Sequence, residues 1–207
     1  MPTTESVSRT IPVAISARHA HLTQASIEQL FGPGFKLHPA KPLSQTGQFA
    51  AIETVTLVGP HGRIEQVRLL GPPRHEDQVE ISRSDALLLG LDARVHISGD
   101  VRNTPGVTIE GPADRVTLAH GVIVAQRHVH MSPADAAHFN VKDGDVVEVA
   151  IDSDGRDLVF GDVVVRVAPD YRAELHLDTD EGNAAAIGPG VTAVLLPATG
   201  ASTPRKG

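Results

Sequence analysis

One phrase in this chain occurs twice, and it limits the possible folds more than any other feature. Ser16-Ala17-Arg18-His19-Ala20-His21-Leu22-Thr23 returns as Ala125-Gln126-Arg127-His128-Val129-His130-Met131-Ser132. Each copy runs from a short apolar stretch into Arg-His-x-His, an apolar residue and a hydroxyl residue suited to cap a helix. A repeat this far apart implies two related halves, each presenting a His-x-His pair where a strand leaves its sheet. Residues two apart on a strand share a face, so both rings of a pair can address one point.

Composition narrows the fold further. With 19 Gly, 15 Pro and only 3% aromatic residues, the chain is rich in turns and must build its core from Val, Ile, Leu and Ala. Short β-branched runs between turn signals predict small β-barrels or sandwiches with a few short helices. Strands are expected over 11–15, 53–58, 64–70, 78–82, 93–98, 107–110, 122–125, 145–151, 160–168 and 174–177, with a hairpin turn at Gly59-Pro60-His61-Gly62. Helices are expected over 23–30, 85–89 (capped by Ser82 or Ser84), 134–139 after Ser132-Pro133, and 180–187. Segment 36–51 reads as a Pro/Gly-punctuated loop, residues 1–10 as frayed, and the tail from Pro197 as loop or disorder.

Charge and cysteine content exclude several classes of function. Eighteen Lys and Arg stand against 25 Asp and Glu, a net charge of −7, which disfavours nucleic acid or an anionic membrane as partner. No apolar run approaches the ~18 residues of a membrane span, and no signal-peptide pattern is evident at the N-terminus. The absence of cysteine removes disulfides, thiolate metal sites and a cysteine nucleophile. A cytoplasmic protein is expected.

Imidazole suits Zn, Cu, Fe or Ni, and a catalytic zinc site takes about three protein ligands and keeps one position open. Each His-x-His pair therefore needs a partner. His176, in the strand-like Leu175-His176-Leu177-Asp178, is the candidate for His128 and His130; Glu80, in Gln78-Val79-Glu80-Ile81, is the candidate for His19 and His21. The remaining histidines, His38, His61, His75, His96, His120 and His138, have no comparable context. Lys41, Arg68 and Arg74 beside Pro/Gly turns suggest anionic substrate groups such as phosphates.

Taken together these blocks resemble the PduL-type phosphate acyltransferases, the phosphate propanoyltransferase family. The resemblance is carried by Ser16-x-Arg18-His19-x-His21-Leu22, Lys41-Pro42-Leu43-Ser44-Gln45, Gly47-Gln48-Phe49, Leu70-Gly71-Pro72-x-Arg74 and Gln78-Val79-Glu80. It continues through Arg127-His128-x-His130-Met131 and His176-x-Asp178-Thr179-Asp180-Glu181-x-Asn183-Ala184. It implies two related β-barrels capped by short helices with the active site between them, one from residues 1–17 plus 127–207, the other from 18–126. It also implies two divalent ions, zinc expected, one on His19, His21 and Glu80, the other on His128, His130 and His176. Arg74 would be the catalytic cation, and Ser16, Lys41, Arg68, Leu70 and Asn183 would lie near CoA or phosphate. The implied reaction converts a short-chain acyl-CoA (acetyl or propanoyl) plus phosphate into acyl phosphate plus CoA, by direct attack of metal-bound phosphate on the thioester. A homodimer is the family expectation, and the short polar N-terminus lacks the apolar stripe of a microcompartment-targeting helix. Two rival readings are a zinc hydrolase that uses metal-bound water and a non-catalytic, cupin-like metal-binding barrel. The nearest Glu after His21 is Glu28, in the expected helix, which counts against a cupin.

Overall fold

In the computed structural model residues 10–196 are described, and the readings for 1–9 and 197–207 lie outside them. From the N-terminus come β1 (Thr10–Ser16), β2 (His19–His21), α1 (Gln24–Phe31), β3 (Pro39–Pro42), β4 (Phe49–Val58), β5 (Arg63–Gly71) and β6 (Gln78–Glu80). There follow α2 (Arg83–Leu89), β7 (Val95–His96), β8 (Thr108–Glu110), β9 (Arg115–Thr117), β10 (Val122–Ala125), β11 (His128–Met131) and α3 (Pro133–Phe139). The chain ends with β12 (Val146–Ile151), β13 (Leu158–Val167), β14 (Glu174–Asp178), α4 (Thr179–Ala184) and β15 (Thr192–Leu195). No helix among the described residues is long and apolar enough to cross a membrane.

The chain divides into two compact units. One comprises residues 10–15, 127–177 and 181–196; the other comprises 16–126 and 178–180. The first is a closed six-stranded barrel in the order β1-β14-β11-β13-β12-β15, so the N-terminal strand completes a wall built from the C-terminal half. Its interior holds Ile11, Val129, Met131, Val149, Phe160, Val163, Val165, Leu175 and Leu195. The second is a nine-stranded sheet in the order β7-β10-β6-β2-β5-β4-β8-β9, with β3 paired to β4, curled as a half-barrel. Its core is Ala20, Leu22, Ile27, Leu30, Leu57, Leu69, Val79, Leu89 and Ile109.

Helix starts follow the hydroxyl signals. Thr23 caps α1, and its side chain accepts from the Ser26 backbone N–H. Ser82, rather than Ser84, caps α2 in a reciprocal box with Asp85, and Ser132 caps α3 the same way with Asp135 and Pro133 in the first turn. The Gly59–Gly62 hairpin closes with a backbone bond of 2.9 Å from Gly59 N–H to Gly62 O.

Four expectations need correction. Segment 36–51 is not all loop: Pro39–Pro42 forms the edge strand β3, tolerable because an edge prolines' missing N–H leaves no inner ladder broken, and β4 already begins at Phe49. The strand expected over 93–98 shrinks to Val95–His96, with the Arg94 and His96 carbonyls accepting from the backbone N–H groups of Val124 and Gln126. Two strands were not foreseen. The three-residue β9 is too short to show a period, and β15 is placed by pairing with both β1 and β12.

The arginine ahead of each His-x-His anchors the unit. Arg18 grips Asp85 through two bonds of 3.0 Å, Nε to Oδ2 and NH2 to Oδ1. Arg127 donates from Nε to Glu181 Oε1 at 2.7 Å and from NH1 to Gly161 O at 3.0 Å. Asp85 stands five positions after Glu80, and Glu181 five after His176, so both halves tie the motif strand to the start of the helix that follows the third-ligand strand. Asp85→Ala removes both the box of α2 and the partner of Arg18. It should cost about 2 kcal/mol, roughly 1 for the cap and up to 1 for the half-exposed pair, seen as a fall in melting temperature of about 4–8 °C.

Candidate active site

Strand alternation separates core from chemistry. On β2, Ala20 enters the core while His19 and His21 face the other way; on β6, Val79 is core while Gln78 and Glu80 face with the histidines. The barrel repeats this on β11, with Val129 and Met131 inward, and on β14, with Leu175 and Leu177 inward. Each motif strand lies between a parallel neighbour (β5 or β13) and an antiparallel one (β6 or β14). The antiparallel register sets His19 opposite Glu80 and His21 opposite Gln78. In the barrel it sets His128 opposite His176 and His130 opposite Glu174.

Both expected three-residue sets are assembled. Ligand atoms of His19, His21 and Glu80 lie within 4.8 Å of one another, and so do those of His128, His130 and His176. The His19 and His21 rings meet edge to face with centroids 5.0 Å apart, and His19 Nε2 is 3.6 Å from Glu80 Oε2. His19 Nδ1 lies 2.8 Å from the Ala17 carbonyl, the contact that places the proton on Nδ1 and leaves Nε2 as a donor atom for a metal. Glu80 has its Oε1 occupied, accepting from Gln78 Nε2 at 2.6 Å and from Ser98 Oγ at 2.7 Å. In the barrel, His128 and His176 stack at 5.0 Å, and His130 lies between them and Tyr171, 4.7 Å from His176 and 4.1 Å from the tyrosine ring.

These surroundings fit a divalent cation. His19, His21, Glu80 and His130 are all buried, and His176 Nε2 is a buried atom without a hydrogen-bond partner, 3.0 Å from Glu174 Oε2 but off a hydrogen-bonding direction. Nitrogen with one carboxylate, or nitrogen throughout, is a donor set suited to zinc, and three protein ligands leave a position open. Burial, with the charges of His19 and Arg74, pushes the His21 pKa down to about 3, so this ring is neutral and ready to ligate near pH 7. Burial works against the charged form of His19 as well, but the Glu80 carboxylate outweighs it and raises that ring. Burial also works against the Glu80 anion, yet His19, His21 and Ser98 together hold it below the ordinary carboxylate value.

The substrate candidates of the sheet unit share the face of the first cluster. Arg68 pairs with His19 and Leu70 with His21 across β5–β2, while Ala50 links Leu70 to Lys41 across β4. One row across the sheet thus reads Lys41, Ala50, Leu70, His21, Gln78. Arg68 is exposed, and its NH1 donates to the carbonyls of Ala51 at 3.0 Å and Ile52 at 2.7 Å. Arg74 follows β5, its backbone N–H bonded to Leu22 O at 2.9 Å, and its charge is felt by both His19 and His21. Arg74 and Gln78 help line a cavity of ≈ 280 Å³ with Pro73, His75, Gly99 and Val101. A Cβ at Gly71 would collide with the Phe49 ring, which would have to move to admit it. Ser16 is half-buried at the end of β1. Asn183 is exposed on α4, in the same unit as the second cluster.

Sequence reasoning gave no role to Gln78, Ser98 or Glu174. For Gln78 and Glu174 a signal was present, since each stands two positions before a third ligand and so on its face; Ser98 comes from a distant loop and left none.

A β protein of two units, each bearing a His-x-His strand faced by a Glu or a further His, is the class that this fold and site define. The phosphate propanoyltransferase family matches residues 12–188. A Thermotoga maritima phosphate propanoyltransferase is 52% identical over 180 residues, 87% of this chain and 86% of the relative. Relatives of the same name from Klebsiella pneumoniae (53% over 177 residues, 86% and 84%) and Citrobacter rodentium (53% over 188 residues, 90% and 89%) agree. The chain belongs to the phosphate propanoyltransferase family and is a phosphate acyltransferase.

The depressed His21 pKa gives a pH signature for metal-free protein. Between the ordinary value of 6.5 and about 3, the unfolded chain takes up a proton that the folded chain refuses, so stability falls as pH falls across that window. His19, raised, is protonated in both states below 6.5 and adds no slope there. Thermal melts of chelator-treated protein at pH 6.5 and 5 should show a drop that His21→Gln reduces; an equal drop in both proteins would remove His21 as its source.

Proposed function

We propose that the protein moves a short acyl group reversibly between CoA and inorganic phosphate, with acetyl-CoA or propanoyl-CoA as the thioester. A phosphate oxygen bonds to the carbonyl carbon, the C–S bond breaks, and CoA leaves as the thiolate. The observation that carries this reading is the shared sheet face on which Lys41, Arg68 and Leu70 flank His19, His21 and Glu80. Cations for anionic groups thereby stand beside a cluster able to hold a divalent ion. The relatives' name, phosphate propanoyltransferase, supports the choice of substrates.

His19, His21 and Glu80 would hold one divalent ion, zinc by the donor set, and His128, His130 and His176 a second. Such ions, when bound, supply Lewis acidity and fixed positive charge for phosphate or carbonyl oxygen. Arg74 answers the negative charge that grows on the acyl oxygen, an interaction often worth about 3–4 kcal/mol. Lys41 and Arg68 neutralise phosphate groups of CoA or the free phosphate, and Ser16, Leu70 and Asn183 orient the thioester. The chain has no cysteine to carry the acyl group, which favours direct attack over a thiol-bound intermediate. A homodimer working in the cytoplasm completes the reading.

Thiol release from acetyl-CoA and propanoyl-CoA, followed with a colorimetric thiol reagent, tests it without background from the protein. Release should require phosphate and stop with a chelator; release without phosphate would make the protein a metal-dependent hydrolase, and no release from zinc-replete protein would make it a binding module. Arg74→Ala should lower turnover by about 10²–10³-fold with little change in KM for the CoA ester. Near-normal turnover with zinc retained would take Arg74 out of the chemistry.

A further inference from the structure

The residue two positions before each third ligand differs between the halves in a way that matches the ligand it serves. In the sheet unit the third ligand is a carboxylate, and the residue before it is Gln78, an amide whose Nε2 donates to Glu80 Oε1 at 2.6 Å. The amide is itself locked. Its Oε1 accepts from the Gly99 backbone N–H at 2.8 Å, and its Nε2 also reaches Ser98 Oγ at 3.0 Å. Ser98 Oγ donates to the same Glu80 oxygen at 2.7 Å. With Oε1 held twice, Glu80 has Oε2 on the side of His19 Nε2, 3.6 Å away. Gln78 is 2% exposed, so this clamp lies out of water, where each hydrogen bond counts most.

In the barrel the third ligand is an imidazole, a ring that a neighbouring anion rather than an amide donor can steady. The residue at the equivalent position is Glu174, opposite His130 as Gln78 is opposite His21. Its Oε2 lies 3.0 Å from His176 Nε2 without the alignment of a hydrogen bond, so it acts on that ring through its charge. Glu174 is not one of the three residues whose ligand atoms meet within 4.8 Å.

We propose that Gln78, with Ser98, and Glu174 are matched positioning residues, each orienting the third ligand of its own cluster: an amide donor for a carboxylate, a carboxylate for an imidazole. This rests on the two clusters being metal sites, and it goes further in assigning each site its own support. Removing such a partner commonly weakens metal affinity about 10–100-fold.

The test uses zinc itself, in full-length protein, with each site read alone: the second site removed by His128→Ala, or the first by His19→Ala. In the His128→Ala background, Gln78→Met and Ser98→Ala should each weaken zinc binding, measured by competition with a chromophoric chelator, by about 10-fold or more. Glu174→Gln, the same shape without the charge, should do so in the His19→Ala background. Neither change should affect the other site, and circular dichroism of the metal-free proteins should match their parents. Unchanged zinc affinity, or equal loss at both sites, would overturn the proposal while leaving the metal sites standing. A parent protein that takes up no zinc would overturn the metal reading and this proposal with it.

Discussion

The antiparallel pairing of each His-x-His strand with the strand bearing its third ligand is the constraint on which the site depends. On β2 and β6, register puts His19 directly across from Glu80, and a slip of one residue would turn Glu80 into the core and bring Val79 out. The penalty for that slip is large, because Ala20, Leu22 and Val79 are fully or almost fully buried and would be exchanged for charged or polar groups. Hydrophobic burial on one face thus determines the geometry of the His/Glu cluster on the other. The same logic holds on β11 and β14, where Val129 and Leu175 set the register that brings His128 to His176.

A second layer of polar contacts refines what packing makes approximate. The Arg18–Asp85 and Arg127–Glu181 pairs fasten each motif strand to the helix after the third ligand. The capping box of α2 uses the same Asp85, so one carboxylate serves the helix start and the arginine together. Closer in, the Ala17 carbonyl fixes the His19 tautomer, and Gln78 and Ser98 hold Glu80. These groups are spread over loops and strands distant in sequence, yet Ala17, Gln78 and Ser98 converge on one buried cluster. In such a setting an acid keeps its charge and His21 stays neutral, the states a cation requires.

Much of this was legible in the residues. The duplicated phrase reported two related halves, and the hydroxyl residues Thr23, Ser132 and either Ser82 or Ser84, of which Ser82 is the cap, marked helix starts because capping is a local interaction. Glu80 and His176 stood out as polar residues amid apolar neighbours on short strands, and both reach their histidine pairs. Local signals failed where pairing is decided at a distance. The strand Pro39–Pro42 has no period and exists because β4 offers it an edge. The strand Thr192–Leu195 is held by neighbours from opposite ends of the chain, Thr10–Pro12 and Val149–Ile151.

The sequence by itself determined the residue types of the two clusters, their pairing by twos along a strand, and the face on which they stand, because strand alternation and capping depend only on near neighbours. Only the tertiary structure decided which distant residues support them. Ser98 reaches Glu80 from a loop, Lys41 reaches the row of His21 through two intervening strands, and Arg18 finds Asp85 in the first turn of α2. Such contacts follow from sheet order and register, which arise when two hydrophobic faces close over their cores and are written in no single segment of the chain.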